Sequence, residues 1–152
     1  MAKQLFLIRH AHRDIESSRL TDNGLSEKGQ TQAQKLVKLF DKRLDLEDPT
    51  FFSSPKKRCI ETLTPLSKSF EKKVEVMDLL DEGSSLFERI QEFIEWWMKS
   101  GPTCTVVCSH GDWIPECVYK MTGARIECKK GSVVEIGGST SAPLLINLIQ
   151  KA

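Results

Sequence analysis

Four polar segments each follow an apolar run and carry side chains suited to an anion. Leu5–Ile8 leads into Arg9-His10. Phe51-Phe52 leads into Ser53-Ser54-Pro55-Lys56-Lys57-Arg58. The run from Thr103 leads into Ser109-His110-Gly111, and the run from Val74 into Leu80-Asp81-Glu82-Gly83. Arginine meets an oxyanion through a planar fork of donors, and imidazole serves as nucleophile, acid or base near neutral pH. Two arginines, two histidines, a helix start and a carboxylic acid at one place make a pocket for a phosphoryl group.

That pocket exists only if the segments leave the same edge of one sheet. Leu5–Arg9 is short, apolar and bounded, which predicts a buried strand. Residues 14–25 are rich in Ser, Asp, Asn and Gly and read as a loop. Ser26 is placed to cap a helix to about Leu44, with Ala33, Leu36, Val37, Phe40 and Leu44 on its apolar face. Phe51–Ser53 predicts a second strand. Ser54-Pro55 reads as an N-cap followed by proline at the first helical position. Cys59, Leu63, Leu66 and Phe70 give the inward stripe of that helix, and Pro65 is expected to kink or interrupt it.

Val74–Leu79 predicts a third strand. Ser85-Leu-Phe-Glu88 matches a capping box opening a helix to about Lys99. Its apolar face is Leu86, Ile90, Phe93, Ile94 and Trp97. After Gly101-Pro102, the nearly uncharged Thr103–Ser109 predicts a strand covered on both faces. Asp112–Met121 reads as a short helix with Gly123 as C-cap. Ser132–Ile136 and Leu144–Ile149 predict two closing strands around a turn-rich segment, Gly137 to Pro143. Strands alternating with helices imply an α/β fold with a mostly parallel central sheet and helices on both faces. Ligands in such sheets bind beyond the carboxyl ends of the strands.

Composition narrows the function. The 152 residues suit a single domain, 1–152, able to bury roughly 70% of its unfolded surface without disulfide or metal. Lys plus Arg is 22 against 21 for Asp plus Glu. That balance argues against a broad grip on nucleic acid or an anionic membrane. The longest charge-free stretch, Ile136–Gln150, has 15 residues broken by Gly, Ser, Thr and Pro, while a span needs about 20 apolar ones. The N-terminus reaches Arg9 after four apolar residues, which does not fit a signal peptide. Five cysteines, no CxxC and no secretion signal favour free thiols in a reducing, cytoplasmic compartment. With three histidines at no finger spacing, no metal site is expected.

Several residues read equally well without chemistry. His12 and Arg13 either line the mouth of the pocket or form an exposed loop pair. Lys56 and Lys57 draw an anion inward or simply solvate a helix start. Trp96, Trp97 and Trp113 read as packing residues, with Trp113 the best placed of them to touch substrate. The cysteines read as small core residues, Cys108 most plainly.

The polar segments also carry a resemblance. Leu-Ile-Arg9-His10-Ala11, Leu25-Ser26-Glu27-Lys28-Gly29-Gln30-Thr31-Gln32-Ala33, the segment Ser53 to Thr62 and Ser109-His110-Gly111 follow, in order, the motifs of the histidine phosphatase superfamily. Ala11 stands where Gly is commoner, and the compact length resembles the small phosphohistidine phosphatase branch. The resemblance implies a three-layer α/β/α sandwich of phosphoglycerate mutase-like fold. It also implies a metal-independent phosphatase without cofactor, acting on a protein phosphohistidine or a small phosphomonoester. His10 would be the nucleophile and form a phosphohistidine that water hydrolyses. Arg9, Arg58 and His110 would stabilise the phosphoryl charge. Glu82 would be the proton donor, with Asp81 as its competitor. The alternatives are a phosphate-binding module of the same fold without turnover, or a phosphoglycerate mutase-type phosphotransferase. The expected partner is a phosphorylated substrate, with no nucleic acid and no membrane. No segment encodes an oligomeric state.

Overall fold

A computed structural model describes residues 3–15, 21–43, 46–139 and 141–150. Six strands form one sheet in the order β3-β2-β4-β1-β5-β6. The strands are β1 (Gln4–Arg9), β2 (Thr50–Ser53), β3 (Val74–Val76), β4 (Cys104–Ser109), β5 (Val133–Ser139) and β6 (Ala142–Ile149). The helices are α1 (Glu27–Arg43), α2 (Lys57–Ser69), α3 (Leu86–Ser100) and α4 (Trp113–Thr122). Strands β1 to β4 are parallel, and β5 and β6 add an antiparallel hairpin beside β1.

The two faces of the sheet are read directly from alternation. Phe6 and Ile8 of β1 pack with Leu36 and Phe40 of α1 and Leu63 and Leu66 of α2. Leu5 and Leu7 pack on the other side with Phe93 and Trp97 of α3 and Ile114 and Val118 of α4. The sandwich is therefore three layers deep. Burying each of these side chains contributes roughly 1.5–3 kcal/mol. Every residue of β4 is buried, as a strand between two helical layers must be.

Helix α1 starts where expected: the Ser26 Oγ accepts the Gly29 N–H at 3.1 Å. The expected apolar residue Leu44 lies outside the described residues, as do residues 16–20 of the predicted loop. Helix α4 ends as expected at Gly123, whose φ of 78° is left-handed.

Other expectations need correction. Helix α2 begins at Lys57, two residues beyond the expected proline start, and Ser54 does not cap it. It also runs through Pro65 without interruption. Leu63 and Leu66 are fully buried on either side of the proline, and that packing outweighs a penalty of about 3 kcal/mol. Strand β3 stops at Val76, and Asp78–Leu80 forms a 3-10 turn instead. Helix α3 begins after Ser85, but the capping box is not made: Ser85 sits at φ 59° with no side-chain cap. The turn-rich segment after Ile136 is largely paired, since β5 continues to Ser139 and β6 starts at Ala142.

Candidate active site

Strand register brings the polar segments together. Arg9 pairs with Ser109 and Ser53 with Cys108. The next residues leave the sheet side by side, with His10 N donating to Ser109 O at 3.0 Å and Ser54 N to Cys108 O at 3.0 Å. Arg9-His10, Ser53-Ser54 and Ser109-His110 thus sit at one carboxyl edge.

His10 is 5% exposed and lines a cleft of about 460 Å³ with Arg9, Arg58, Glu82 and His110. Its Nδ1 is 2.8 Å from Ala11 O. A carbonyl only accepts, so Nδ1 carries the hydrogen and Nε2 keeps its lone pair. Burial lowers the His10 pKa to about 3; His110, Arg58 and Arg9 add to the effect, and the Ala11 hydrogen bond opposes it. The ring is therefore neutral at ordinary pH. Its backbone is fixed by Thr62, whose Oγ1 accepts Ala11 N–H at 2.9 Å and donates to Arg58 O at 2.7 Å.

Arg9 reaches across the edge, and its Nη1 donates to Cys128 O at 2.7 Å. A Cβ on Gly111 would lie 2.7 Å from the Arg9 guanidinium carbon, so a side chain there would displace the guanidinium from this position. Arg58 is 3% exposed. Its Nη2 lies 2.5 Å and 2.8 Å from the two Glu82 oxygens. Among the described residues, the buried Nε of Arg9 and of Arg58 has no hydrogen-bond partner.

His110 faces His10, with ring centroids 5.4 Å apart. Its Nδ1 is 3.1 Å from Glu82 Oε1, and its Nε2 is 2.8 Å from Ser54 Oγ. The carboxylate accepts, so Nδ1–H points into the cleft. Beneath this ring, the Cys59 Sγ lies 3.5 Å from Nε2. Burial raises the Cys59 pKa, but hydrogen bonds from Cys108 and His110 and the nearby cationic groups outweigh it and leave the thiol below its ordinary value.

Both carboxylates approach His110, Glu82 Oε1 at 3.1 Å from Nδ1 and Asp81 Oδ1 at 3.8 Å from Nε2. Glu82 lines the cleft, whereas Asp81 does not. Asp81 Oδ1 accepts the Glu82 N–H at 2.8 Å, and its Oδ2 lies 3.6 Å from Lys56 Nζ. The loop bearing both is pinned from below. Ser109 Oγ donates to Leu80 O at 2.6 Å, Trp113 Nε1 donates to Leu79 O at 2.8 Å, and Arg89 donates to Asp81 O.

The structure thus brings together all five sequence-derived residues, Arg9, His10, Arg58, Glu82 and His110. Trp113 is a fully buried core residue, as its packing reading expects, and does not reach the cleft. Arg13 lines the cleft, while His12 turns to Ser26 with Nδ1 2.7 Å from Oγ. Lys56 and Lys57 each meet a carboxylate, Asp81 and Glu61. Sequence reasoning missed the roles of Ser54, Thr62 and Ser109. Their signal was present, since all three lie inside the quoted motifs, but their partners are distant in sequence. All five cysteines are buried and free, as expected.

Among the described residues, no group of His, Cys, Asp and Glu could hold a metal ion, and no helix is long and apolar enough to cross a membrane.

Residues 5–85 match the family described as Histidine phosphatase superfamily (branch 1). No curated protein matches the chain. Several solved structures share its fold. The protein histidine phosphatase SixA, complexed with tungstate, superposes with a TM-score of 0.78 at 14% identity, covering 96% of each chain. The mycobacterial glucosyl-3-phosphoglycerate phosphatase, in complex with VO3, gives 0.79 at 19% identity, covering 99% of this chain and 100% of that one. Phosphoserine phosphatase from Entamoeba histolytica, in complex with 3-phosphoglyceric acid, gives 0.74 at 15%, covering 97% and 96%. At these identities the likeness establishes the fold.

Proposed function

This chain belongs to the histidine phosphatase superfamily, and we propose that it is a metal-independent phosphatase working through a phosphohistidine on His10. The observation that carries this is the His10 tautomer. With Nδ1–H held by Ala11 O, the unprotonated Nε2 is the atom left to attack phosphorus.

In the first step the Nε2–P bond forms and the P–O bond to the leaving group breaks. Arg9, Arg58 and the His110 Nδ1–H hold the non-bridging oxygens, where charge spreads in the transition state. Glu82 gives its proton to the leaving oxygen. In the second step Glu82, now a carboxylate, takes a proton from water as it attacks phosphorus. The P–N bond breaks and neutral His10 returns. Asp81 is held by the Glu82 N–H and Lys56 outside the cleft, which supports Glu82 as the donor.

The substrate is a phosphorylated one, either a protein phosphohistidine or a small phosphomonoester. The chain acts as one catalytic domain, 1–152, in the cytoplasm. Phosphatase and SixA-like neighbours of the same fold support this class, with no nucleic acid or membrane involved.

The test is turnover of p-nitrophenyl phosphate with a chelator present, followed by acid quench. Turnover is expected to survive chelation, with an acid-labile phosphoryl group on His10. His10→Ala should lose on the order of a million-fold in turnover while remaining folded. Substantial activity in that variant would overturn the mechanism, and phosphate binding without any turnover would leave only a binding module.

A further inference from the structure

We propose that a second, cationic cavity beside the cleft binds another anionic group of the substrate, so that the preferred substrate is a small phosphomonoester with a further negative charge. This rests on the phosphatase reading above and names its substrate class.

The cavity has a volume of about 780 Å³, within the range of small-molecule sites. Its cations are Arg9, Lys28, Lys35, Lys129 and Lys130, and none of the described residues that line it is acidic. A chain with a formal charge of +1 overall therefore concentrates positive charge at one concave place. Such a cavity focuses an anion toward itself.

The cavity is joined to the catalytic cleft. Arg9 and Lys130 line both. Each wall is stitched to the segment that carries His10. On one side the Gly131 N–H lies 3.1 Å from Arg9 O and 3.2 Å from His10 O, holding the loop of Lys129 and Lys130. That loop is further tied by Lys129 N–H to Gln150 Oε1 at 3.1 Å. On the other side the His12 N–H donates to Gln32 Oε1 at 2.8 Å, fixing helix α1 and its lysines. Lys130 and Lys28 both act on His12: burial lowers its pKa and the two ammonium groups lower it further. The two walls thus approach one imidazole from opposite elements. A substrate whose phosphoryl group sits on Arg9 and Arg58 can extend its other end past Arg9 into these lysines. A concave cavity of this size favours a small molecule over a protein surface.

The test compares alkyl phosphates with ω-carboxyalkyl phosphates of matched chain length. At the best length the carboxylated compound should have at least ~10-fold higher kcat/KM, mostly through KM. The preference should shrink with salt, as the Debye length falls from about 10 Å at 0.1 M to about 3 Å at 1 M. The double variant Lys28→Gln/Lys35→Gln, altered at exposed helix positions, should lose the preference and keep p-nitrophenyl phosphate turnover within about 2-fold. No preference at any length, or a preference that survives the double variant, overturns the inference. Direct calorimetric binding of the same compounds to His10→Ala separates the two readings. Lysine-dependent tighter binding of the carboxylated compounds without wild-type turnover would sink the phosphatase reading and keep the cavity. Equal binding of both series, with wild-type turnover intact, would sink the cavity alone.

Discussion

Arg58 Nη2 lies 2.5 Å from Glu82 Oε1, so the proposed phosphate clamp and the proposed proton donor hold each other. Arg58 is buried and Glu82 is about a third exposed. A buried guanidinium needs a counter-charge, because leaving it alone costs several kcal/mol. A phosphoryl dianion seated on Arg58 supplies that charge and places a like charge beside Glu82. A phosphoryl group arriving at Arg58 therefore competes with Glu82 for the same guanidinium.

Arg58→Ala should lower turnover of p-nitrophenyl phosphate about 100- to 1000-fold, by analogy with removing one preorganised donor. Arg58→Lys should rescue poorly, because an ammonium cannot hold both the carboxylate and the phosphoryl oxygens in the fork geometry. Steady-state kinetics of the two variants decide this. Full rescue by lysine would mean that charge alone matters.

Thr62 is a further target. Its hydroxyl joins the backbone after His10 to the backbone of Arg58. Thr62→Val keeps the shape but leaves the buried Ala11 N–H unpaired, at a cost of about 1–3 kcal/mol. Misplacement of His10 should also lower kcat by up to about 100-fold. Thr62→Ser retains the hydroxyl and should be close to wild type. Urea denaturation and kcat on both variants check the claim, and equal behaviour of Val and Ser would refute it.

The parts that were legible in sequence are those with a local signal. The apolar run before Arg9 could only be a buried strand, and the β1–β4 register then put His10 beside His110. Helix α1 was announced by Ser26, whose cap bond forms. The errors arose where tertiary partners took over a local signal. Ser54 has the composition of a cap, yet its Oγ meets His110 from a strand distant in sequence. Ser85 and Glu88 have capping-box spacing, but the left-handed backbone at Ser85 leaves the box unmade. Gly29 shows the converse: a Cβ there would lie 2.0 Å from His12 O, a constraint that only the folded chain reveals.

His10 should also leave a mark on stability. Its folded pKa of about 3 lies below the unfolded value of about 6.5. Between those values the unfolded chain binds a proton that the folded chain does not. Stability from the neutral ring is therefore complete above pH 6.5 and is lost as pH falls toward 3, at up to ~1.4 kcal/mol per pH unit. His12 is lowered in the same direction, chiefly by burial. Urea midpoints measured from pH 7 down to pH 4.5 should fall more steeply for wild type than for His10→Asn. Parallel slopes would show that His10 titrates alike in both states.

Glu82 distinguishes the two chemical jobs of the cleft. An alkoxide leaves poorly, so cleaving an alkyl phosphate needs a proton on the bridging oxygen. A nitrophenolate leaves without much help. Glu82→Gln should slow alkyl phosphate hydrolysis at least ~100-fold, with a much smaller loss on p-nitrophenyl phosphate. The same variant removes the carboxylate that competes for Arg58, so inorganic phosphate should bind it more tightly than wild type. Asp81→Asn should be mild on both substrates, because Asp81 accepts the Glu82 N–H, meets Lys56 and does not line the cleft. Equal losses on the two substrates in Glu82→Gln would reduce Glu82 to a counter-ion for Arg58. A leaving-group dependence in Asp81→Asn instead would move the proton donor one residue upstream.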